Sequence, residues 1–386
     1  MPARPRASTT YLSAIIGTPG APARIGFGQT ILSFQRSRSA VTDRVLPGFI
    51  DLQINGAYGI DVMSASAQDL LQLSHCLAHE GTTAWLPTVI TAPLATIERC
   101  DATIAEAMAA QHAMALAAKR GSRQPCGATI LGMHLEGPFI SPARRGAHPP
   151  LNLLPQGEPL ERALALRTLR LVTLAPELDG ALDAIRRFVA RDIVVAIGHT
   201  DASYAQAVAG LHAGATMFTH LFNAMPPLHH RTPGAVGAAA ALARPDTGPY
   251  VGVIPDGIHL HPATLRLVSG LQLVFTTDRV SVAGDGDAAT IFGEPNPGIH
   301  VYDGAARLAN GTLAGSTITM LDGARRMMNE LGGDWERVAE VCARNPARVL
   351  GLHDRGVIAL RRRADLVLLD RELNLQAVYI GGREID

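Results

Sequence analysis

The chain has 386 residues, 47% of them hydrophobic, which is enough for a barrel of about 250 residues and an accessory domain. Its 34 basic and 34 acidic side chains cancel and only 4% of residues are aromatic, which argues against a nucleic-acid-binding surface. There is no apolar run of about 18 residues and the four cysteines are scattered. We therefore expect no membrane span, no disulfide framework and a cytoplasmic location.

The predicted elements alternate between strand and helix over most of the chain. Residues 1–46 are irregular except for an alternating run, Arg24 to Leu32, that predicts one strand of a small β domain. From Pro47 onward, apolar runs typical of buried strands alternate with helical segments, which predicts parallel βαβ units. The predicted strands are 49–54, 84–90, 128–135, 169–174, 193–197, 215–218, 250–254 and 271–276.

Eight such strands favour an α/β fold, a (β/α)8 barrel of the TIM type. After the last strand the pattern predicts helices over 319–331 and 335–343, and a short third helix from Asn345. The tail then reads as short strands, which we expect to pair with the N-terminal strands. The expected division is 1–46 and 352–386 for the small β domain and 47–351 for the barrel.

Polar side chains come at the ends of several predicted strands. Because strand ends carry the chemistry of such barrels, their side chains are expected to share one rim. Glu136, His199 and His220 would give three N/O ligands with a fourth position open, as a catalytic Zn²⁺ site requires. Such a metal lowers the pKa of bound water and polarises a carbonyl. The full set of strand-end residues is Gln53, Asn55, Glu136, His199, His220, His259 and Asp278.

Asp278 is the candidate general base, since the last strand lies beside the first in a closed barrel. It would accept a proton from the metal-bound water and return it to a leaving amine. If that water were its only neighbour, an unshifted aspartate would be ionised at pH 7. The alternative is an ion pair between Asp278 and Arg279.

The other candidates also have structural alternatives. A strand-end histidine is often only a hydrogen-bonded structural residue, and Glu136 could pair with Arg144 or Arg145. The run His229-His230-Arg231 either holds an anionic substrate group or forms a solvated basic loop.

Ten sequence motifs give the chain a resemblance to a known family. The chain resembles the N-acetylglucosamine-6-phosphate deacetylases of the metal-dependent amidohydrolase superfamily, and the motifs follow the family's order from Pro47 to Leu352. HLEGPF and THLFNAMPPLHHRTPG are highly specific to this family. The motifs are PGFIDLQINGAYG, GTTAWLPTVIT, HLEGPFISPARRGAH, VTLAPE, GHTDASY, THLFNAMPPLHHRTPG, DGIHL, TTD, GTLAGSTITM and ARNPARVLGL.

The resemblance implies a (β/α)8 barrel with a β-sandwich built from both termini, as a homodimer. It implies removal of acetate from N-acetylglucosamine 6-phosphate, with Asp278 as catalytic base and acid. It assigns His148 to the scissile acetyl group, and Arg231 to the phosphate, reaching into the partner subunit's site. The implied metal ligands are Glu136, His199 and His220, and the implied sugar-phosphate contacts are Asn223, Ala224, Arg231 and His259.

Three departures from the family pattern matter. Where many amidohydrolases carry His-x-His and bind two metals, this chain has Gln53 and Asn55, so we expect one divalent ion per subunit, Zn²⁺ or Fe²⁺. Arg279 follows the catalytic aspartate where the family often has alanine, and it either pairs with Asp278 or points outward. The first 46 residues match the family only faintly.

Two functions are alternatives to deacetylation of N-acetylglucosamine 6-phosphate. One is an enzyme for a related substrate such as N-acetylgalactosamine 6-phosphate, and the other is a catalytically silent barrel used for binding.

Overall fold

The computed structural model describes residues 9–16, 22–37, 42–119, 127–244, 247–282, 290–291 and 298–386. The strands in these ranges are β1 (Thr10–Ile16), β2 (Pro22–Phe27), β3 (Ile31–Arg36), β4 (Arg44–Pro47), β5 (Phe49–Ile54), β6 (Gly56–Ala57), β7 (Ile60–Asp61), β8 (Thr82–Ile90), β9 (Thr129–Ile130), β10 (Met133–Glu136), β11 (Leu169–Leu174), β12 (Val194–Ile197), β13 (Met217–Phe218), β14 (Tyr250–Val253), β15 (Leu273–Phe275), β16 (Thr290–Ile291), β17 (Gly298–Tyr302), β18 (Ala305–Leu308), β19 (Leu366–Leu369), β20 (Leu375–Ile380) and β21 (Arg383–Glu384).

Helices follow most of the barrel strands. Three of them, α1, α5 and α8, begin at capping boxes. In each box a Ser or Thr side chain accepts from the third helical N–H, and the Asp or Gln side chain at that third position accepts from the backbone N–H of the Ser or Thr. The helices are α1 (Ala67–Ala78), α2 (Leu94–Lys119), α3 (Gly157–Leu164), α4 (Ala181–Val189), α5 (Tyr204–His212), α6 (Gly234–Leu242), α7 (Pro262–Val268), α8 (Met320–Asn329), α9 (Trp335–Ala339) and α10 (Asn345–Val349), with a π-helical turn at Glu340–Arg344 between the last two.

Eight parallel strands form the barrel, side by side in the order β5-β8-β10-β11-β12-β13-β14-β15. The last strand meets the first where the Asp278 N–H donates to the Gln53 carbonyl at 2.9 Å and the Asn55 N–H donates to the Arg279 carbonyl at 2.8 Å. The predicted (β/α)8 fold is therefore confirmed, and each of the eight predicted runs contains a strand. The strands are rich in apolar residues because both of their faces are largely buried, although β5 also contains the buried polar residues Asp51 and Gln53.

Apolar side chains fill the barrel interior below the rim. Ile50, Leu86, Leu171, Met217 and Val274 come from five strands and form one buried cluster, which also includes residues of α10. The outward faces of the strands pack against the surrounding helices in a second, larger cluster. This packing fixes the barrel backbone, so polar side chains at the strand ends project from a rigid support.

Strands from both termini form one seven-stranded sheet, in the order β21-β20-β19-β4-β1-β2-β3. Leu46 of β4 pairs with Val367 of β19, which fits the expected small β domain. The single strand predicted over Arg24 to Leu32 is wrong: a turn, in which the Gly28 N–H donates to the Thr30 carbonyl, separates β2 from β3. The exact domain boundaries stay a prediction. Among the described helices, none has the length and apolar character needed to cross a bilayer.

Candidate metal and catalytic site

Glu136, His199 and His220 meet at the C-terminal rim of the barrel, where β10, β12 and β13 end. All three side chains are buried. Glu136 Oε1 lies 3.2 Å from His199 Nε2 and 2.9 Å from His220 Nε2, and the two Nε2 atoms are 3.2 Å apart. The structure thus brings together the three residues that the sequence predicts as metal ligands.

The donor set fits a divalent cation. The Arg144 carbonyl lies 2.9 Å from His199 Nδ1, and this contact requires the ring proton on Nδ1. His199 Nε2 then carries a lone pair directed at the other two donor atoms. Three protein atoms bonded tetrahedrally to Zn²⁺ at about 2.0–2.1 Å would be about 3.4 Å apart, close to the observed separations. The contact between His199 and the Arg144 backbone is the kind that fixes a ligand's tautomer.

The turns that carry His199, His220 and Asp278 adopt backbone conformations that residues with side chains rarely occupy. The φ angles are +47° at His199, +24° at His220 and +51° at Asp278. Left-handed conformations cost about 1–3 kcal/mol each and persist where the surrounding structure enforces them, most often at functional sites. The rim is also crowded, since a Cβ at Gly198 would lie 2.7 Å from the Cβ of Thr219.

Gln53 and Asn55 connect Asp278 to the cluster. The Gln53 amide donates to Glu136 Oε1 at 2.9 Å and to Asp278 Oδ1 at 3.0 Å. The Asn55 amide donates to the same Asp278 oxygen at 2.7 Å. Gln53 and Asn55 are therefore two amide donors directed at carboxylates. The Gln53 side chain therefore bridges the carboxylates of Asp278 and Glu136.

Burial raises the pKa of Asp278 to about 8, and the neighbouring Glu136 carboxylate adds to the increase. The pKa of Asp278 would be unshifted only if a metal-bound water were its sole neighbour, and the structure contradicts that condition. Burial also raises the pKa of Glu136, but hydrogen bonds from His148, His199 and His220 outweigh burial and hold that pKa well below its usual value. A bound cation would favour the ionised form of both carboxylates.

His148 comes from the loop after β10 and packs against the cluster. Its Nδ1 lies 2.9 Å from the Thr91 hydroxyl and 3.4 Å from the Thr91 N–H, while its Nε2 lies 3.5 Å from Glu136 Oε2. Burial, and then the neighbouring His199, lowers the pKa of His148 to about 4. A neutral His148 whose Nε2–H faces the site is an uncharged hydrogen-bond donor.

The four residues assigned to the sugar phosphate are less closely grouped. His259 Nδ1 lies 2.6 Å from an Asp256 carboxylate oxygen, which orients the ring. Asn223 bonds the His220 carbonyl through its amide at 3.2 Å, and the Ala224 carbonyl accepts from the Thr200 N–H. Arg231 is exposed on the loop before α6, where its guanidinium contacts His230. Their role in binding stays a prediction.

The structure shows the ion-pair partners of two charged residues, Glu136 and Arg279. Arg144 forms an ion pair with Asp201, with 2.7 Å between Nε and Oδ1, while Glu136 bonds to the three histidines and Gln53. Among the described contacts, Glu136 has none with Arg145 either, so the suggested pairing with Arg144 or Arg145 is wrong. The Arg279 guanidinium pairs with Glu80 and the side chain is buried, so the ion pair with Asp278 and the outward-pointing side chain are both wrong.

A polar layer beneath the rim has no counterpart among the sequence candidates. His134 Nε2 lies 2.8 Å from the Thr173 hydroxyl, which lies 2.7 Å from the Thr219 hydroxyl. His134 is two residues before Glu136, so the strand period of two could have identified it as an inward-facing residue. Thr219 directly precedes His220, so this buried layer supports two of the three candidate ligands from below.

Comparison with known proteins places this site in a family. The amidohydrolase family matches residues 44–385. The chain is 36% identical over 357 residues to the N-acetylgalactosamine-6-phosphate deacetylase of Escherichia coli O157:H7, covering 89% of each chain. It is 36% identical over 348 residues to the N-acetylglucosamine-6-phosphate deacetylase of Bacillus subtilis, covering 88% of this chain and 84% of that protein.

A solved structure gives the same result. A mutant N-acetyl-D-glucosamine-6-phosphate deacetylase from Mycobacterium smegmatis, in complex with N-acetyl-D-glucosamine-6-phosphate, superposes with a TM-score of 0.85 at 30% identity. The superposition covers 98% of this chain and 99% of that chain. The chain therefore belongs to the amidohydrolase family and, within it, to the N-acetylglucosamine-6-phosphate deacetylases.

Proposed function

We propose that this chain hydrolyses the N-acetyl amide of N-acetylglucosamine 6-phosphate, giving acetate and glucosamine 6-phosphate. The observation that carries the proposal is the convergence of Glu136, His199 and His220 beside the buried Asp278 carboxylate. Relatives that match over more than four fifths of the chain bear this activity in their names. An E. coli relative of equal identity is named for the galactosamine epimer, which is the second candidate substrate.

The reaction adds water across an amide, and the residues of the rim divide the work. A divalent cation held by Glu136, His199 and His220 would lower the pKa of a water and polarise the substrate carbonyl. Asp278 takes a proton from the attacking water at a carboxylate oxygen and delivers it to the departing amine nitrogen. Gln53 and Asn55 fix the orientation of that carboxylate, and His148 donates a hydrogen bond to the acetyl oxygen.

The proposed cofactor is one divalent ion per subunit, Zn²⁺ or another such as Fe²⁺. The N/O ligand set accepts several first-row metals. Amides at positions 53 and 55 are weaker ligands than imidazoles, and both donate to Asp278. These contacts support a single ion.

Asn223, Ala224 and His259 are proposed to hold the sugar phosphate, together with Arg231 from the partner subunit of a homodimer. An arginine on an exposed loop can reach across a two-fold interface. A cytoplasmic location is also proposed, because the four cysteines are widely spaced and form no Cys-x-x-Cys pair, which fits a reducing compartment. Cys126 lies outside the described residues.

The test of the proposal is acetate release from four sugars, measured alongside metal content: the 6-phosphates of N-acetylglucosamine and N-acetylgalactosamine and the two unphosphorylated sugars. The protein as purified is expected to hold about one divalent ion per chain and to free acetate from N-acetylglucosamine 6-phosphate. The unphosphorylated sugar should be a far poorer substrate. Faster turnover of N-acetylgalactosamine 6-phosphate would favour the second candidate. If metal-loaded protein releases no acetate from any of the four sugars, the proposed reaction is wrong and a binding function remains.

Replacing Arg231 with alanine is expected to raise KM by about 10- to 100-fold, because a charge-assisted pair with phosphate contributes about 1.5–3 kcal/mol. The kcat should change much less. Mixing equal amounts of Arg231→Ala and Asp278→Asn subunits tests the exchange across the dimer. If Arg231 serves the neighbouring site, each mixed dimer has one intact site of its two, so the whole mixture regains about a quarter of the wild-type activity, measured at substrate concentrations well below KM. No recovery in dimers shown to have exchanged subunits would place Arg231 in its own subunit's site.

A further inference from the structure

The residue after the proposed catalytic aspartate is a buried cation. The side chain of Arg279 is 2% exposed, and its Nη1 lies 2.5 Å from Glu80 Oε2. The Tyr58 hydroxyl donates to the other Glu80 oxygen, and the Arg279 guanidinium lies 5.3 Å from the centre of the Tyr58 ring. We call these three residues the Arg279 clamp. It joins the Asp278 turn to the residues after α1 and to the hairpin of β6 and β7.

The backbone of the same segment is also held by hydrogen bonds. The Arg279 carbonyl accepts from the Asn55 N–H at 2.8 Å and from the Gly56 N–H at 3.1 Å. The Gly59 N–H donates to the Ser281 carbonyl at 2.8 Å. The turn that carries Asp278 is therefore fixed through the Arg279 side chain as well as through its main chain.

Asp278 needs such support because its backbone is left-handed, with φ at +51°. A residue with a side chain relaxes out of this region unless its surroundings over-determine it. The carboxylate also depends on two donors of the first strand, Gln53 and Asn55. A small rotation of the turn would break both contacts at once.

We infer that the Arg279 clamp is a positioning device that keeps the Asp278 carboxylate aligned with Gln53 and Asn55 at the reacting centre. The inference rests on the proposed function, in which Asp278 transfers the proton. Arg279 contacts neither the ligand group nor Asp278 through its side chain in the contacts described, so it acts through the backbone. A misplacement of about 1 Å can lower a catalytic rate by about 100-fold.

The test replaces the ion pair without leaving a buried charge unpaired. Removing one partner alone would destabilise the protein strongly, whereas a neutral pair of similar volume is often tolerated. The double variant Glu80→Gln/Arg279→Met is therefore compared with Arg279→Lys, which keeps the charge. The control is Glu98→Gln/Arg162→Met, which neutralises a surface ion pair with 2.7 Å between Arg162 Nε and Glu98 Oε1.

The Glu80/Arg279 double variant is expected to keep its metal and its KM within about twofold, while kcat falls by about 10- to 100-fold. Arg279→Lys should keep most of the wild-type kcat, and the Glu98/Arg162 control should match the wild type. Hydrogen exchange gives a readout independent of activity: the amides of Asn55, Gly56 and Asp278 should lose protection in the double variant. Full kcat with unchanged protection would overturn the inference.

Two further outcomes separate the inference from the function it rests on. If the double variant does not fold, Tyr58→Phe removes only the hydroxyl that donates to Glu80, and an unchanged kcat and exchange pattern there would overturn the clamp. If the wild type releases no acetate but the double variant loses amide protection as expected, the proposed function fails and the clamp stands as a structural device.

Discussion

Asp278→Asn is expected to keep its metal and to lower kcat by about 100-fold or more, because the variant cannot accept a proton from water. The Asn side chain has nearly the same shape and can still accept from Asn55 through its carbonyl, so the rim should keep its geometry. The measurement is acetate release under saturating substrate, together with elemental analysis of the same sample. Unchanged turnover in a fully loaded variant would place the base elsewhere.

The pH dependence of stability supplies an independent check on Asp278. In the metal-free protein its pKa is raised to about 8, above the value of 3.8 expected for an unfolded chain. The native state therefore binds the proton more tightly than the unfolded state does. The stabilisation is fully present below about pH 3.8 and is lost as pH rises through about 8. The free energy of unfolding of chelated wild type, measured in urea, should fall more steeply over this window than that of Asp278→Asn.

His199→Ala is expected to abolish stoichiometric metal binding. The change removes one of three protein ligands, and outer-shell changes alone typically weaken metal affinity by about 10- to 100-fold. We expect well under one ion per chain by elemental analysis and almost no acetate release. Chelation should lower the Tm of the wild type, since a bound ligand stabilises the native state, and should leave the Tm of the variant unchanged.

The matched control for this variant is His212→Ala. His212 is exposed at the end of α5, in the helix that follows the His199 strand. Its removal should leave metal content and the chelator effect at the wild-type level. Full metal occupancy in His199→Ala would contradict the proposed ligand set, and His220 and Glu136 would then need another third partner.

The barrel strands were the most predictable part of the molecule. Phe49–Ile54 and Leu169–Leu174 match their predicted bounds, because a strand that is largely buried on both faces gives a run rich in apolar residues. The turn between β2 and β3 was not predicted, since one alternating run continues across it. Short strands at the edge of a small sheet carry less pattern than buried ones.

Within the site, the sequence identified residues by their place at strand ends and left their contacts undetermined. It singled out Glu136, His199 and Asp278 without showing that Gln53 bonds two of them. It left open whether Arg279 pairs with Asp278, because the partner that the fold supplies, Glu80, is 199 residues away in the chain. Such pairs follow from barrel closure and cannot be derived from local spacing.

The sequence by itself determined the order of the elements, the rim on which polar side chains would gather and the family to which the motifs point. Those features follow from hydrophobic periodicity and residue type, which are local properties of the chain. Only the tertiary structure decided that both carboxylates are buried and that Glu136, unlike Asp278, is hydrogen-bonded to three imidazoles, and therefore why the pKa of Asp278 rises while that of Glu136 falls. Burial and through-space charge depend on distances that exist only once the barrel has closed.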